Sequence, residues 1–265
     1  MYSSTQLAFK YLKYWFTASN GKGHGMHSPF VFDFIQNVLN DKREFDCFRY
    51  IESLRNELRN SNSEINVPDF GAGSRKQLNN KRIISAIAKS SLKSKKYSQL
   101  IFRIVHYYKP KTVLELGTSL GITTSYLAFA NPEAKVITME GAPEVAAAAK
   151  NNFDQLHLFN IKIIEGNFDE TLPLFIKQQH PLDFVFIDGN HRKEPTVHYF
   201  NQLLEITNHS TILIFDDIHW SEEMEAAWKE IKEHPSVTLS IDLFFIGIIF
   251  FRPEQKVKQN FVIRF

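Results

Sequence analysis

The sequence predicts an α/β fold built on a doubly wound, mostly parallel sheet of seven strands. Five short apolar runs between residues 112 and 217 alternate with segments of helical character, the pattern of strands covered by helices on both faces. Two further apolar runs, 237–242 and 245–252, follow with almost no linker and no helix between them. They therefore predict an antiparallel pair that ends the sheet.

Each element of this alternation has its own signal. The five parallel strands are predicted at 112–117, 135–140, 161–166, 182–189 and 211–217. The helices that follow them are predicted at 122–130, 143–156, 168–179, 195–207 and 221–234. Pro143 suits a first helical turn, and Ser221 suits an N-cap. Pro173 predicts a break in its helix.

The first 96 residues predict a helical cap or substrate lid in front of a second domain at 97–265. Helices are expected at 5–19, 29–39, 46–60, 80–89 and 97–108. The segment 23–30 (GHGMHSPF) is either a lid or subunit contact, through His24 and His27, or a plain connection between helices. The glycine motif at 69–74 resembles a dinucleotide loop and leaves an NAD-type dehydrogenase as an alternative, but no clear strand precedes it.

Composition limits the class of protein. The longest purely apolar run has nine residues, 243–251, whereas a membrane-spanning helix needs about 20. A single cysteine, Cys47, makes no internal disulfide, which favours a reducing compartment. We therefore expect a cytoplasmic protein with no membrane partner.

The net charge of +2 conceals an asymmetry between the two ends of the chain. Residues 1–111 carry a net charge of +11 and residues 112–265 a net charge of −9. One interpretation is that the two oppositely charged parts pack against each other or face water. The other is that the basic part binds an anionic partner such as RNA, a phosphorylated metabolite or a coenzyme A ester.

The end of the first parallel strand predicts a ligand site. Residues 115–121 read ELGTSLG, in which Gly117 allows a tight turn and the hydroxyls of Thr118 and Ser119 can receive a carboxylate. Glu140 ends the next strand, 23 residues after Gly117. An acid at that place accepts hydrogen bonds from a ribose diol.

These motifs resemble those of class I S-adenosylmethionine-dependent methyltransferases, over about residues 100–252. The successive matches are 115–121, Glu140, 166–168 (GNF) and 183–189 (DFVFIDG). Within that class the sequence is similar to the cation-dependent small-molecule O-methyltransferases of the catechol and caffeoyl-CoA type. The resemblance implies a Rossmann-like methyltransferase fold with S-adenosylmethionine as cofactor.

The resemblance also implies a role for each matching position. The cofactor residues are then Glu115, Gly117, Thr118, Ser119, Glu140, Gly141, Asn167, Phe168 and Asp188. Glu140 takes the ribose, and Asn167 and Phe168 border the adenine. Asn167 departs from the family's pattern, in which an acid often accepts the adenine amino hydrogens.

Carboxylates at two neighbouring strand ends predict a divalent cation. Asp188 follows the fourth strand, and Asp216 and Asp217 end the fifth. Converging carboxylates repel one another, and Mg²⁺ or another divalent cation with oxygen ligands relieves the repulsion. The resemblance implies the same three ligands, with Asp217 in place of the family's Asn.

The methyl acceptor must lose a proton, which calls for a base. The relatives have a Lys three residues after the first metal-binding Asp, and this chain has His191 there. Lys193 is the alternative catalytic residue, and His219 a second-line candidate for base or ligand.

The sequence therefore predicts O-methylation of a small-molecule acceptor, assisted by Mg²⁺ or a similar cation. Two alternatives stay open: an RNA or protein methyltransferase that uses the basic N-terminal region, and a non-catalytic cofactor-binding scaffold. The aromatic first helix is compatible with a homodimer.

Overall fold

The computed structural model describes residues 1–67, 81–178 and 181–265. Its helices, in chain order, are α1 (Ser4–Thr17), α2 (Pro29–Phe34), α3 (Asp46–Asn60), α4 (Ile84–Ser91), α5 (Lys95–Tyr108), α6 (Ile122–Ala130), α7 (Pro143–Gln155), α8 (Phe168–Gln178), α9 (Lys193–Leu203) and α10 (Glu222–Glu233). A π-helical turn, Ile35–Leu39, continues α2, and a 3₁₀ turn, Leu204–Ile206, continues α9. The glycine motif at 69–74 lies outside the described residues.

The strands, in chain order, are β1 (Glu64–Asn66), β2 (Lys81–Ile83), β3 (Thr112–Leu116), β4 (Lys135–Glu140), β5 (Ile161–Glu165), β6 (Phe184–Ile187), β7 (Ile212–Asp216), β8 (Leu239–Asp242), β9 (Ile246–Phe250) and β10 (Gln259–Val262). β1 and β2 pair with each other in a small antiparallel sheet. The other strands form a sheet of order β10-β8-β9-β7-β6-β3-β4-β5, in which β9 runs antiparallel to β7 and β8.

The chain divides into two compact units, residues 41–174 and residues 1–40 with 175–265. In the unit 41–174, β3, β4 and β5 are parallel, so their carboxyl ends share one edge. Helix α6 is buried along almost its whole length against α3 and α5, which explains why its sequence is apolar or small on every side. Rings of Phe48, Phe102 and Tyr126 pack there with centroids 4.8–6.3 Å apart. Each such buried side chain contributes about 1.5–3 kcal/mol.

In the other unit, β6, β7 and β9 are buried on both faces. Close approach is enforced at Gly247, where an added Cβ would lie 2.7 Å from the Trp228 ring on α10. Tyr14 of α1 and Ala18, the C-cap of that helix, pack against Phe244, which lies in the turn between β8 and β9. Because β6 and β7 are parallel neighbours, their carboxyl ends also meet at one edge.

The predicted α/β class and doubly wound, mostly parallel sheet are confirmed, and so is the antiparallel pair of β8 and β9. The sheet has one strand more than predicted, since β10 adds to β8 in parallel. The break predicted at Pro173 was wrong, because α8 continues through it. The helix predicted at 80–89 begins only at Ile84, after the three residues of β2.

The division into a cap at 1–96 and a domain at 97–265 stays a prediction. Within the described residues, no helix is both long and apolar enough to span a bilayer. His24 and His27 are exposed in the loop before α2, whose N-cap is Ser28.

Candidate functional site

Glu115, near the end of β3, is the centre of a buried hydrogen-bond network. Its side chain is fully buried, and its Oε2 accepts the hydroxyl of Thr138 at 2.7 Å and that of Thr124. The Oγ1 atoms of Thr118 and Thr138 lie 2.6 Å apart. Thr118 is thus engaged in the network, which fixes the strand end from which the next loop departs.

The loop after β3 turns through three residues with positive φ: Gly117 at 105°, Ser119 at 48° and Gly121 at 77°. An added Cβ on Gly121 would come within 2.4 Å of the Phe153 ring, so glycine lets α6 pack close to α7. Among the described residues, the buried Oγ of Ser119 has no hydrogen-bond partner. That hydroxyl is available to a polar ligand group in the loop.

Glu140, the last residue of β4, is held by two backbone amides. Its Oε2 accepts the N–H of Ser119 at 2.9 Å, and its Oε1 accepts that of Ala142 at 3.0 Å. Burial raises the pKa of Glu140, and these backbone hydrogen bonds oppose the rise. Each oxygen has a second lone pair, so the positioned carboxylate can accept both hydroxyls of a diol.

Asn167 and Phe168 join β5 to α8. The Oδ1 of Asn167 accepts the N–H of Asp169 at 3.1 Å, and its backbone oxygen accepts the Thr171 hydroxyl at 2.9 Å. Asn167 therefore begins the helix, which is a structural task beside the adenine contact implied for it. Gly141 and Phe168 are half-buried. The predicted cofactor residues other than Asp188 thus lie at the carboxyl ends of β3, β4 and β5 in one unit.

The second set of predicted residues lies at the carboxyl ends of β6 and β7. Asp188 follows β6, and Asp216, only 2% exposed, ends β7. His191 joins them, with its Nε2 3.5 Å from Asp188 Oδ1. One ligand atom from each residue lies within 4.8 Å of the others. Two carboxylates and an imidazole are a donor set that fits a divalent cation.

Asp217, predicted as the third ligand, is not in this cluster. Its backbone adopts φ 53°, and its N–H donates to the carbonyl of Phe245 at 2.7 Å. Lys193, the alternative base, begins α9, and its Nζ forms an ion pair with Glu230 at 3.0 Å. The assignments of His191 and Lys193 as catalytic bases remain predictions. In the cluster, His191 and not Asp217 lies with Asp188 and Asp216.

His219 has contacts that sequence reasoning missed. Its Nδ1 lies 2.9 Å from Glu225, and its Nε2 lies 2.9 Å from Asp242. Burial lowers the pKa of His219, but the hydrogen bonds and charges of Asp242 and Glu225 outweigh it and raise the pKa overall. Lys10 on α1 also binds Glu225, at 3.0 Å. His219 therefore links α1, α10 and β8, a role that no local motif signals.

Comparison with known proteins finds similarity in the part of the chain that contains these strand ends. A family model described as a methyltransferase domain covers residues 114–218. The match takes in 105 of the 265 residues, so it shows that this region is similar to the methyltransferase domain family. The match begins within β3 and ends just after β7, so it includes both sets of strand ends described above.

The chain is also similar to a curated enzyme. A catechol O-methyltransferase from Niastella koreensis is 32% identical over 126 residues. The match covers 46% of this chain and 55% of that enzyme, so the chain spans about half the length of this relative.

Two solved structures share the fold. The O-methyltransferase from Bacillus cereus, in complex with SAH, has a TM-score of 0.56 at 18% identity and covers 83% of this chain and 97% of its own. The O-methyltransferase TomG from Streptomyces achromogenes, involved in tomaymycin synthesis and in complex with SAM, has a TM-score of 0.54 at 17% identity. It covers 61% of this chain and 82% of its own.

Proposed function

We propose that this protein is an S-adenosylmethionine-dependent methyltransferase that methylates an oxygen of a small molecule. The observation that carries the proposal is the pairing of Glu140 with the Ser119 amide at 2.9 Å. This hydrogen bond joins the Glu140 carboxylate to the tight loop after β3, and both lie within the residues that match the family model. The cofactor complexes of the fold relatives and the catechol activity of the curated relative support the choice.

The residues of the unit 41–174 hold the cofactor in this proposal. Glu140 accepts hydrogen bonds from the ribose hydroxyls, and the Ser119 hydroxyl and the loop amides bind the methionine part. Asn167 and Phe168 border the adenine. The buried carboxylate of Glu115 accepts the hydroxyl of Thr138, which in turn contacts the hydroxyl of Thr118. Through these contacts Glu115 positions the loop that begins at Gly117. S-Adenosylmethionine supplies an electrophilic methyl group on a positively charged sulfur.

The acceptor oxygen gains the methyl group and loses its proton. A cation between Asp188 and Asp216 would lower the pKa of an acceptor hydroxyl and so favour loss of that proton. His191 and Lys193 are the candidate bases from the sequence. The ion pair of Lys193 with Glu230 makes it the weaker of the two, because its Nζ is already held by a carboxylate.

The proposal extends to the acceptor, the cellular compartment and the partners of the protein. Catechol and related diols are the first acceptors to test, because the curated relative carries that activity. The single cysteine supports residence in the cytoplasm. A homodimer and binding of RNA by the basic N-terminal region are retained as alternatives, as is a scaffold without catalysis.

The test is transfer of a labelled methyl group from S-adenosylmethionine to a panel of catechols, phenols and coenzyme A esters, with RNA as a separate arm. We expect labelled product with at least one small hydroxylated acceptor and an equal amount of S-adenosylhomocysteine. Label transferred only to RNA would favour the nucleic-acid alternative. Cofactor binding with no transfer to any acceptor would favour the scaffold.

A further inference from the structure

We propose that His191 is a metal ligand together with Asp188 and Asp216, and that the site takes a first-row transition-metal dication in preference to Mg²⁺. The inference rests on the proposed function, since it specifies the cation invoked there. It assigns His191 to the metal and thereby replaces the base role that the sequence predicted for it.

The separation of the side chains supports a shared ion rather than a direct hydrogen bond. The Nε2 of His191 lies 3.5 Å from Asp188 Oδ1, beyond the usual N–H···O range of about 2.7–3.2 Å. Two atoms bound to one ion at about 2.0–2.2 Å lie roughly 3.0–3.5 Å apart. Asp216 places its ligand atom within 4.8 Å of both.

The backbone holds these three side chains in place. Ile187 and Phe215 are paired in the register of β6 and β7, so the residues that follow them, Asp188 and Asp216, are neighbours. Asp216 is the last residue of β7 and Asp188 directly follows β6, so the parallel pairing brings both aspartates to one edge of the sheet.

A short anchored turn returns His191 toward Asp188. Asn190 adopts φ 57°, and its Nδ2 donates to the hydroxyl of buried Tyr199 at 3.1 Å. Its Oδ1 accepts two hydrogen bonds from the guanidinium of Arg192, at 2.9 and 2.8 Å. These contacts hold Asn190 and Arg192, the residues on either side of His191, and so position the turn that carries the imidazole.

The donor set determines which ion is favoured. Mg²⁺ prefers oxygen ligands and is reluctant to lose water, whereas imidazole nitrogen binds iron, nickel, copper and zinc well. Affinity of a mixed nitrogen and oxygen site rises from Mn²⁺ through Fe²⁺ and Co²⁺. An Asp–His–Asp set therefore favours a transition-metal dication, and the imidazole accounts for the preference.

The test compares Co²⁺ and Mg²⁺ binding by calorimetry, using the 265-residue chain without a tag and without cofactor. We expect one Co²⁺ per chain, bound at least about a hundredfold more tightly than Mg²⁺. In His191→Asn an amide oxygen replaces the nitrogen, and the ratio of the two affinities falls at least about tenfold. His198→Asn, at an exposed position on α9, is the matched control and keeps the wild-type ratio.

An unchanged ratio in His191→Asn, or equal affinities for the two ions in the wild type, would overturn the inference. Circular dichroism of each variant shows that it is folded. S-Adenosylmethionine is titrated separately into the same proteins, without metal. Loss of Co²⁺ selectivity with cofactor binding intact confirms His191 as a ligand, whereas failure of the wild type to bind the cofactor contradicts the proposed function alone.

Discussion

The carboxylate of Glu140 accepts the backbone N–H of Ser119 at 2.9 Å, so the end of β4 is tied directly to the loop that follows β3. The second oxygen accepts the amide of Ala142 at 3.0 Å. These two backbone contacts fix the orientation of the carboxylate.

Replacing this carboxylate is expected to weaken cofactor binding. Glu140→Ala removes the acceptor for the ribose hydroxyls and releases the Ser119 amide, which predicts at least about a tenfold loss of affinity. Calorimetry with S-adenosylmethionine measures the effect. Glu165→Gln is the control, because Glu165 is the exposed register partner of Glu140 on β5. Equal affinities in the wild type and Glu140→Ala would place the ribose elsewhere.

Gly121 and Gly25 have the same φ, 77°, but different surroundings. A Cβ on Gly121 would lie 2.4 Å from the Phe153 ring, while a Cβ on Gly25 would meet nothing within 4 Å. Gly121→Ala therefore adds overpacking of about 1–3 kcal/mol to the backbone cost that both variants share. Urea denaturation of the two variants measures the difference in the free energy of unfolding. If Gly25→Ala is as destabilised as Gly121→Ala, the close packing of α6 on α7 is not the cause.

Any stimulation of methyl transfer by divalent ions is expected to depend on Asp188 and Asp216, the aspartates at the ends of two parallel strands. Asp216→Ala removes a buried carboxylate from the cluster, so added cation should no longer stimulate methyl transfer. Asp217→Gly should keep the stimulation, because Asp217 lies outside the cluster and glycine suits its φ of 53°. Turnover is measured in chelator and with added cation for both variants. Loss of stimulation in Asp217→Gly would restore the ligand set implied by the family resemblance.

The network around Glu225 predicts a pH-dependent contribution to stability. Burial raises the pKa of Glu225, but its hydrogen bonds from His219, Lys10 and Tyr2 outweigh this effect and lower the pKa below its ordinary value. The pKa of His219 is higher in the folded protein than in the unfolded chain. Its charged form therefore stabilises the fold at pH values below the unfolded-state pKa, and this stabilisation is lost as the pH rises through the folded-state pKa.

Glu225→Gln should therefore lower the melting temperature more at pH 6 than at pH 9. The ion pair with Lys10 survives at the higher pH, so a smaller loss remains there. The contribution is about 1 kcal/mol, since Glu225 is partly exposed. Thermal melts at the two pH values give the comparison, with Glu222→Gln, exposed on the same helix, as the control. A loss that is the same at both pH values would remove His219 from the network.

Much of the fold could be predicted from the sequence, because each strand of the parallel core is a short apolar run bounded by polar residues. β4 was predicted at its observed ends, as were α3 and α6. β10 was missed because Gln259–Val262 alternates in burial and has no long apolar run. The break at Pro173 was predicted from local sterics, but α8 continues through this proline, which is the sixth of its eleven residues.

The site could be predicted where its residues follow strand ends in order. Glu140, Asp188 and Asp216 are of this kind, since topology alone brings strand ends together. Other relationships depend on side-chain packing across long sequence separations. The link of Lys10 to Glu225 spans 215 residues, and that of His219 to Asp242 spans 23. No local pattern reports such contacts, so they became visible only in the folded chain.

The most direct test of the account is a calorimetric titration of S-adenosylmethionine into the purified protein, with NAD as the control ligand. We predict saturable binding of one S-adenosylmethionine per chain, with a dissociation constant of about micromolar order, and no binding of NAD. Absence of S-adenosylmethionine binding by the folded protein would contradict the central claim and leave the loop after β3 as an ordinary strand-to-helix turn.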